Sequence, residues 1–318
     1  MNLNKLSTEP YKGVRDFYPE EMAVQNYIFD TWKKVCKEAS FEEYTASLLE
    51  PAELYRSKGN DEIINEQMFT FIDRGEREVA LRPEMTPTLA RMIAGRRRSL
   101  KFPLHWFSIP NVFRYEKPQR GRKREHWQLN ADIMGVIDND PVNADVEIIS
   151  LAYKIMKEFG AKDGDFEIHV NNRKALNKQI ADLSLNADKG KELIGLLDRK
   201  NKIDDFDTKL VEIIGKENKW SLEEDEETKK IRKNLADKGI TNAVFDASIV
   251  RGFDYYTGMV FEVFDTDPEN RRSLFGGGRY DNLLEIFGVE PIPTVGFGMG
   301  DVTMKDFLET HKLKLRNE

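Results

Sequence analysis

The stretch FRYEKPQRGRKREHWQLNADIMG, residues 113–135, sets the reading of the whole chain. Val112-Phe113 leads into it as a strand, and from Leu129 to Ile137 polar and apolar residues alternate with strand period. Between them lies a loop carrying Lys117, Arg120, Arg122, Lys123 and Arg124 around Pro118 and Gly121, with Arg114 and Glu116 at its base. A hairpin with so cationic a tip suits a polyphosphate. Arginine offers planar, permanently charged donors to phosphate oxygens, and strands hold such donors more rigidly than a free loop does. On charge alone a solvated basic hairpin is the plainer reading, and both stay open at this point.

Working outward, the 318 residues are 40% hydrophobic and 33% charged, enough for a large globular domain and a smaller one. A formal net charge of -7 argues against a general coating of nucleic acid, so a polyanion must be met by local basic patches. Cys36 is the single cysteine, which excludes disulfides and a cysteine-built zinc site within one chain. No apolar run approaches bilayer length, and MNLNKLSTEP lacks the apolar core of a signal peptide, so the chain is read as cytoplasmic.

Helical spacing of Val24, Tyr27, Ile28, Trp32 and Val35 predicts a helix from Glu20 to about Ala39. Phe41 to Leu49 reads as a loose strand, and Pro51 to Ser57 as a short helix. Met68 to Ile72 and Glu78 to Leu81 pair across Asp73-Arg74-Gly75 as a hairpin, followed by a helix from Thr88 to Ala94. Leu104 to Ile109 is a strand, and Ala144 to Phe159 a helix. Antiparallel strands with flanking helices therefore make the first part α+β rather than alternating parallel units. Residues 171–242 are rich in Lys, Asp, Glu and Leu and lack proline; they read as an inserted helical subdomain, with Glu223 to Glu227 as a solvated helix start. Strands return at Ala243 to Val250, Met259 to Phe264 and Thr294 to Phe297, with helices at Tyr280 to Phe287 and Val302 to His311.

Three further stretches could carry chemistry. In RGFDYYTGMVFEV, residues 251–263, Arg251 and Asp254 beside paired tyrosines would be costly to bury unless paired or liganded; an internal ion pair is the bland alternative. In FGGGRYDNLL, residues 275–284, the glycines let backbone approach a ligand and set Arg279 beside it, though turns use such glycines too. In LRPEMTPTL, residues 81–89, Glu84 and Thr86 share a face if extended and could hold an ammonium. The equal alternative makes Thr86 a helix cap with Pro87 in the first turn.

In this order the stretches resemble histidyl-tRNA synthetases. FRYE followed by a basic loop and an aromatic-rich strand is similar to the ATP-holding motif 2 of class II aminoacyl-tRNA synthetases. RGFDYYTG and GGGRYD resemble the two histidine-specific signatures, KGVRDFYPEE the N-terminal segment, and FIDRGEREVALRPEMT the strand-turn-strand before motif 2. The resemblance implies an antiparallel sheet flanked by helices and a homodimer that activates histidine with ATP and Mg²⁺ and charges tRNA(His). Residues 1–170 would be the first part of the catalytic domain with motifs 1 and 2, residues 171–242 the insertion that contacts the acceptor arm, and residues 243–318 the second part.

Residue by residue, it implies that Glu84, Thr86 and Gln128 hold the α-amino group, while Asp132 and Tyr256, with Tyr255 beside it, read the imidazole. Asp132 stands where many bacterial members have glutamate. Arg114 and Arg251 would be catalytic, bracing the carboxylate and α-phosphate. Glu116 would read adenine or help hold Mg²⁺, Arg122 would reach the outer phosphates, and His126 would stack on adenine.

Three departures matter. GFGMGDVTM carries Thr303 where motif 3 has an arginine for the γ-phosphate, leaving Lys305 or Arg279 as substitutes. Motif 1 lacks its proline around Thr45 to Leu49. The chain ends at Glu318, where the family continues with an anticodon-binding domain of about a hundred residues, so that domain is expected to be absent. The second reading is a non-catalytic histidine-binding regulator, like the regulatory subunit of ATP phosphoribosyltransferase. Such a paralogue has no reason to keep Arg251, Arg114, Glu116 and Arg122 together.

Overall fold

The computed structural model describes residues 6–57, 63–198, 203–215, 223–249, 255–270 and 272–316. Its centre is one long strand, β7 (Glu125–Met134), in which Leu129, Ala131 and Ile133 face a core and Gln128, Asn130 and Asp132 face the other way. On one side β7 pairs antiparallel with β5 (Leu104–Ser108), which pairs parallel with the short β1 (Glu42–Glu43). On the other side come β12 (Thr294–Gly300), β11 (Ser273–Arg279), β10 (Met259–Asp265) and β8 (Phe166–Asn172), all antiparallel, and then β9 (Ala243–Phe245), parallel to β8. With β6 (Asn111–Phe113) paired to the start of β7, this makes a nine-stranded sheet, antiparallel except at its two edges.

Apolar residues on one face of these strands are sealed by α1 (Pro19–Glu38), α4 (Pro141–Glu158), α8 (Glu226–Asp237) and α9 (Asp301–Thr310). Trp32, Phe107, Phe159, Phe261 and Phe307 are each at most 2% exposed there, so truncating one costs about 3–5 kcal/mol. Local signals set the helix ends. Asp140 caps α4 by accepting from the Val142 amide ahead of a first-position proline, and Asp225 caps α8 by accepting from Glu227 and Thr228. The helix start read at Glu223 to Glu227 is therefore present, with Asp225 as its cap.

A second, three-stranded sheet runs β2 (Leu49–Pro51), β4 (Glu78–Leu81), β3 (Phe69–Ile72). It is followed by α3 (Thr86–Arg96), while α2 (Ala52–Arg56) packs beneath it. Three helices, α5 (Arg173–Asp182), α6 (Ala187–Asp198) and α7 (Phe206–Ile214), form a separate apolar cluster around Leu176, Leu193 and Ile213. The helix α8, later in that stretch, instead sends Ile231 and Leu235 into the main core.

Several expectations shift. Phe41 to Leu49 is not one strand: the chain pairs at β1 and β2 and is irregular between. The strand from Ala243 stops at Phe245, because Asp246 folds back to accept from the Ser248 amide and hydroxyl. FEIHVNN forms β8, next to the edge strand β9, and the three glycines lie inside β11 rather than in a turn.

Candidate functional site

The face of the sheet opposite the core carries the site. Register pairs Gly296 with Asp132 and Gly298 with Asn130, so glycines of β12 lie beside the polar residues of β7. A Cβ on Gly296 would sit 2.0 Å from Asp132 Oδ1 and 2.8 Å from the Ala131 carbonyl; only glycine leaves the carboxylate its place. Asp132 accepts a hydrogen bond from the Tyr280 hydroxyl, and burial pushes its carboxyl up to about 7. Tyr280 packs edge-on against Tyr255 at 5.6 Å, and Tyr255 lies 4.9 Å from Tyr256.

Glu84 follows β4 and is 4% exposed. Its Oε2 accepts from the Tyr255 hydroxyl at 3.4 Å, while Oε1 is buried without a hydrogen-bond partner. Burial pushes this carboxyl up to about 7, opposed by the nearby Arg114 charge and by Tyr255. Arg114 in turn is fixed through Nε to the Pro83 carbonyl at 2.9 Å. Two buried carboxyls, one with an unpartnered oxygen, and three tyrosines thus meet at one end of the face. Such carboxyls are costly without a cation or donor to meet them.

At the other end Arg114, Glu116, Arg122, His126, Gln128 and Thr303 line a cavity of about 310 Å³. Arg122 lies 3.5 Å from Glu116, and the two hold opposite charge at its mouth. Desolvation, reinforced by Arg114 and Arg15, drives His126 down to about 3, so its ring is neutral there. The basic loop divides its charges. Arg124 turns inward, its guanidinium 3.8 Å over the Tyr115 ring, with Nε on the Glu116 carbonyl and Nη1 on the Tyr11 hydroxyl. Arg122 and Lys123 line the cavity instead.

A family model described as histidyl-tRNA synthetase matches residues 13–210 and 206–301. A histidine–tRNA ligase of Leptospira biflexa serovar Patoc is 44% identical, covering 98% of this chain and 77% of the relative. The chain belongs to the histidyl-tRNA synthetase family. A histidine–tRNA ligase of Thermoplasma volcanium is 38% identical over 97% of this chain and 76% of that protein. The fold is shared with the crystal structure of histidyl-tRNA synthetase from Nostoc sp. PCC 7120, with a TM-score of 0.79 at 24% identity over 98% of this chain and 77% of that one.

Among family positions named from sequence, Thr86 opens α3 as its first residue, and Met85 before it makes no side-chain cap. The helix start with Pro87 in its first turn is therefore present, with Thr86 one position inside it rather than capping it, and Thr86 is helical rather than extended. Arg251 lies outside the described residues, as does Asp254. Arg279 is a correction. Alternation along β11 sends it to the core face with its register partner Val295, where it donates to Asp145 Oδ1 and the Pro141 carbonyl, both at 2.6 Å. Held in a buried ion pair under α4, it is not available to a nucleotide. Lys305 pairs with Glu309 at 3.6 Å and is not among the cavity-lining residues either.

Sequence reasoning missed Tyr280, although the same alternation that carries Arg279 inward offered a signal for it. It also missed Arg15, stacked 4.9 Å over Phe17 and bound at 2.8 Å to Asp301, which itself accepts from the Trp127 amide. That bond ties the N-terminal segment to the start of α9, and only the folded chain brings residues so distant in sequence together.

Proposed function

We propose that this chain is a histidine–tRNA ligase: it joins histidine to ATP as histidyl-adenylate, releasing pyrophosphate, and transfers the histidyl group to the 3′ end of tRNA(His). The observation that carries this reading is the buried Glu84, one oxygen without a partner, beside Arg114 and next to a cationic cavity of about 310 Å³. An amino acid's ammonium satisfies the first, and a triphosphate the second.

In this reading Glu84, Thr86 and Gln128 hold the α-ammonium. Asp132 and Tyr256 meet the two imidazole nitrogens, with Tyr280 steadying Asp132 and Tyr255 steadying Glu84. The histidine carboxylate attacks the α-phosphorus in line, the bond to the bridging oxygen breaks, and pyrophosphate leaves. Arg114 and Arg251 meet the charge that grows on the α-phosphate oxygens. Arg122 receives the outer phosphates and the neutral His126 ring stacks on adenine. A terminal ribose hydroxyl of tRNA then attacks the activated carbonyl, and AMP leaves.

Among the described residues no group of three or more metal-ligating side chains exists, so Mg²⁺ would be held chiefly by the phosphates, with Glu116 as a single protein carboxylate. Residues 171–242 would form the insertion over the acceptor arm, with residues 1–170 and 243–318 as the two parts of the catalytic body. The working form would be a homodimer in the cytoplasm. Exposed Leu49 and Phe71, at 45% and 47% and on the same face of the small sheet, support the dimer. The regulatory alternative is disfavoured, because the nucleotide end retains Arg114, Glu116 and Arg122 around a cavity.

The test is histidine-dependent exchange of labelled pyrophosphate into ATP, with Mg²⁺ and without tRNA. Exchange specific to histidine is expected. Histidine binding without exchange would overturn the ligase reading in favour of the regulator.

A further inference from the structure

We propose that Asp306 is a positioning residue for the nucleotide cavity, acting through Arg120 to hold the basic loop closed; this rests on the ATP-site reading above. The loop reverses at Arg120-Gly121, where Gln119 and Arg122 bond each other's backbone at 3.0 and 3.1 Å. Gly121 has φ +75°, and a Cβ there would lie 2.1 Å from Arg272 Nη1. That turn aims Arg120 at α9. Its Nε donates to both Asp306 oxygens, at 2.8 and 3.1 Å, and its Nη2 lies 3.4 Å from Thr310, one turn further on. Arg272 closes the arrangement from the other side, donating to the Arg120 carbonyl at 3.0 Å and standing 3.7 Å from Asp306.

The consequence follows from where α9 begins. Its first turn supplies Val302 and Thr303 to the cavity wall, and its second turn holds the loop that supplies Arg122 and Lys123 to the opposite wall. Thr303 has no charge, and its hydroxyl donates to the Leu274 carbonyl at 2.8 Å. The helix therefore brings no cation of its own to the outer phosphates. It brings one indirectly, by seating the loop tip so that Arg122, two residues past Arg120, faces the cavity. Isolated exposed pairs contribute little, but here a carboxylate 14% exposed is shared by two guanidiniums, one of which also fixes the loop backbone.

Two readouts test the idea in the full chain. In histidine-dependent pyrophosphate exchange, Asp306→Ala should raise the ATP KM roughly fivefold while leaving kcat and the histidine KM within about twofold. Arg120→Ala should do the same, and the double variant no more than either single one. Asp306→Glu should keep the ATP KM close to the parent's. An unchanged ATP KM, or additive single effects, would overturn the proposal. Independently of activity, trypsin cleavage within residues 117–124 should accelerate several-fold in Asp306→Ala at an unchanged Tm, with ATP slowing it again. Cleavage equal to the parent's would overturn it even if the parent shows no exchange at all, an outcome that would instead strike the ligase reading.

Discussion

The two ends of the site solve opposite problems. At the amino-acid end Asp132 and Glu84 are each 4% exposed, sit on or beside strands, and have carboxyls pushed up to about 7 by burial. At the nucleotide end the cations ride a loop, with Arg120 54% and Arg122 60% exposed. A small ligand told apart by two ring nitrogens needs dry, rigid partners, because only there does a missing hydrogen bond cost enough to reject a near relative. A triphosphate brings its own charge and is met well by hydrated guanidiniums on an exposed loop anchored to α9. Selectivity is built into the sheet, and charge neutralisation is left to the loop.

That contrast breaks most sharply at Asp132. Asp132→Ala should raise the histidine KM by roughly 100- to 1000-fold with the ATP KM within about twofold, read from steady-state exchange. Equal losses for both substrates would show that the ends are not separate. Next, Gly296→Ala should raise the histidine KM by roughly 10- to 100-fold, since its methyl group must displace the Asp132 carboxylate. A silent substitution there would mean the carboxylate is free to move, contrary to the rigidity argued for this end. Arg122→Ala should raise the ATP KM only about tenfold, and less at high salt, as suits a half-hydrated charge. A loss in histidine affinity from this change would count against the division of labour.

The smallest expected effect is in stability. Asp132 keeps its proton to about pH 7 when folded but ionises near 3.8 when unfolded. Between those values the folded chain binds more protons, so ligand-free stability falls as pH rises from about 4 through about 7. Asp132→Asn removes this dependence. Its stability gain over the parent should be greater at pH 8 than at pH 5 by on the order of 2 kcal/mol in calorimetry, and a pH-independent difference would contradict the buried, protonated state. Histidine affinity of the parent should rise over the same range, as Glu84 and Asp132 ionise.

Much of this was legible along the chain. The helices α1, α4 and α9 follow from their apolar spacing, and the β3–β4 hairpin from its turn residues, because those signals are local. The motifs around Arg114, Glu84 and Tyr255 pointed to one family, which a match over nearly the whole chain bears out. Less legible were features set by strand register. GGG suits a ligand approach or a turn equally until its neighbours on either side are known. Arg279 looks like a ligand until alternation along β11 turns it toward Asp145 under α4.

By itself, then, the order of residues determined the α+β class, most helices, and the types of side chain brought to the chemistry, since each rests on neighbours within a turn or a strand. Tertiary structure alone decided which of those side chains face the ligand, which are buried in ion pairs, and which carboxyls keep their protons. Burial and pairing depend on residues far apart in sequence: Asp132 with Gly296 and Tyr280, Glu84 with Tyr255, Arg120 with Asp306. No local pattern encodes a contact whose two halves lie more than a hundred residues apart.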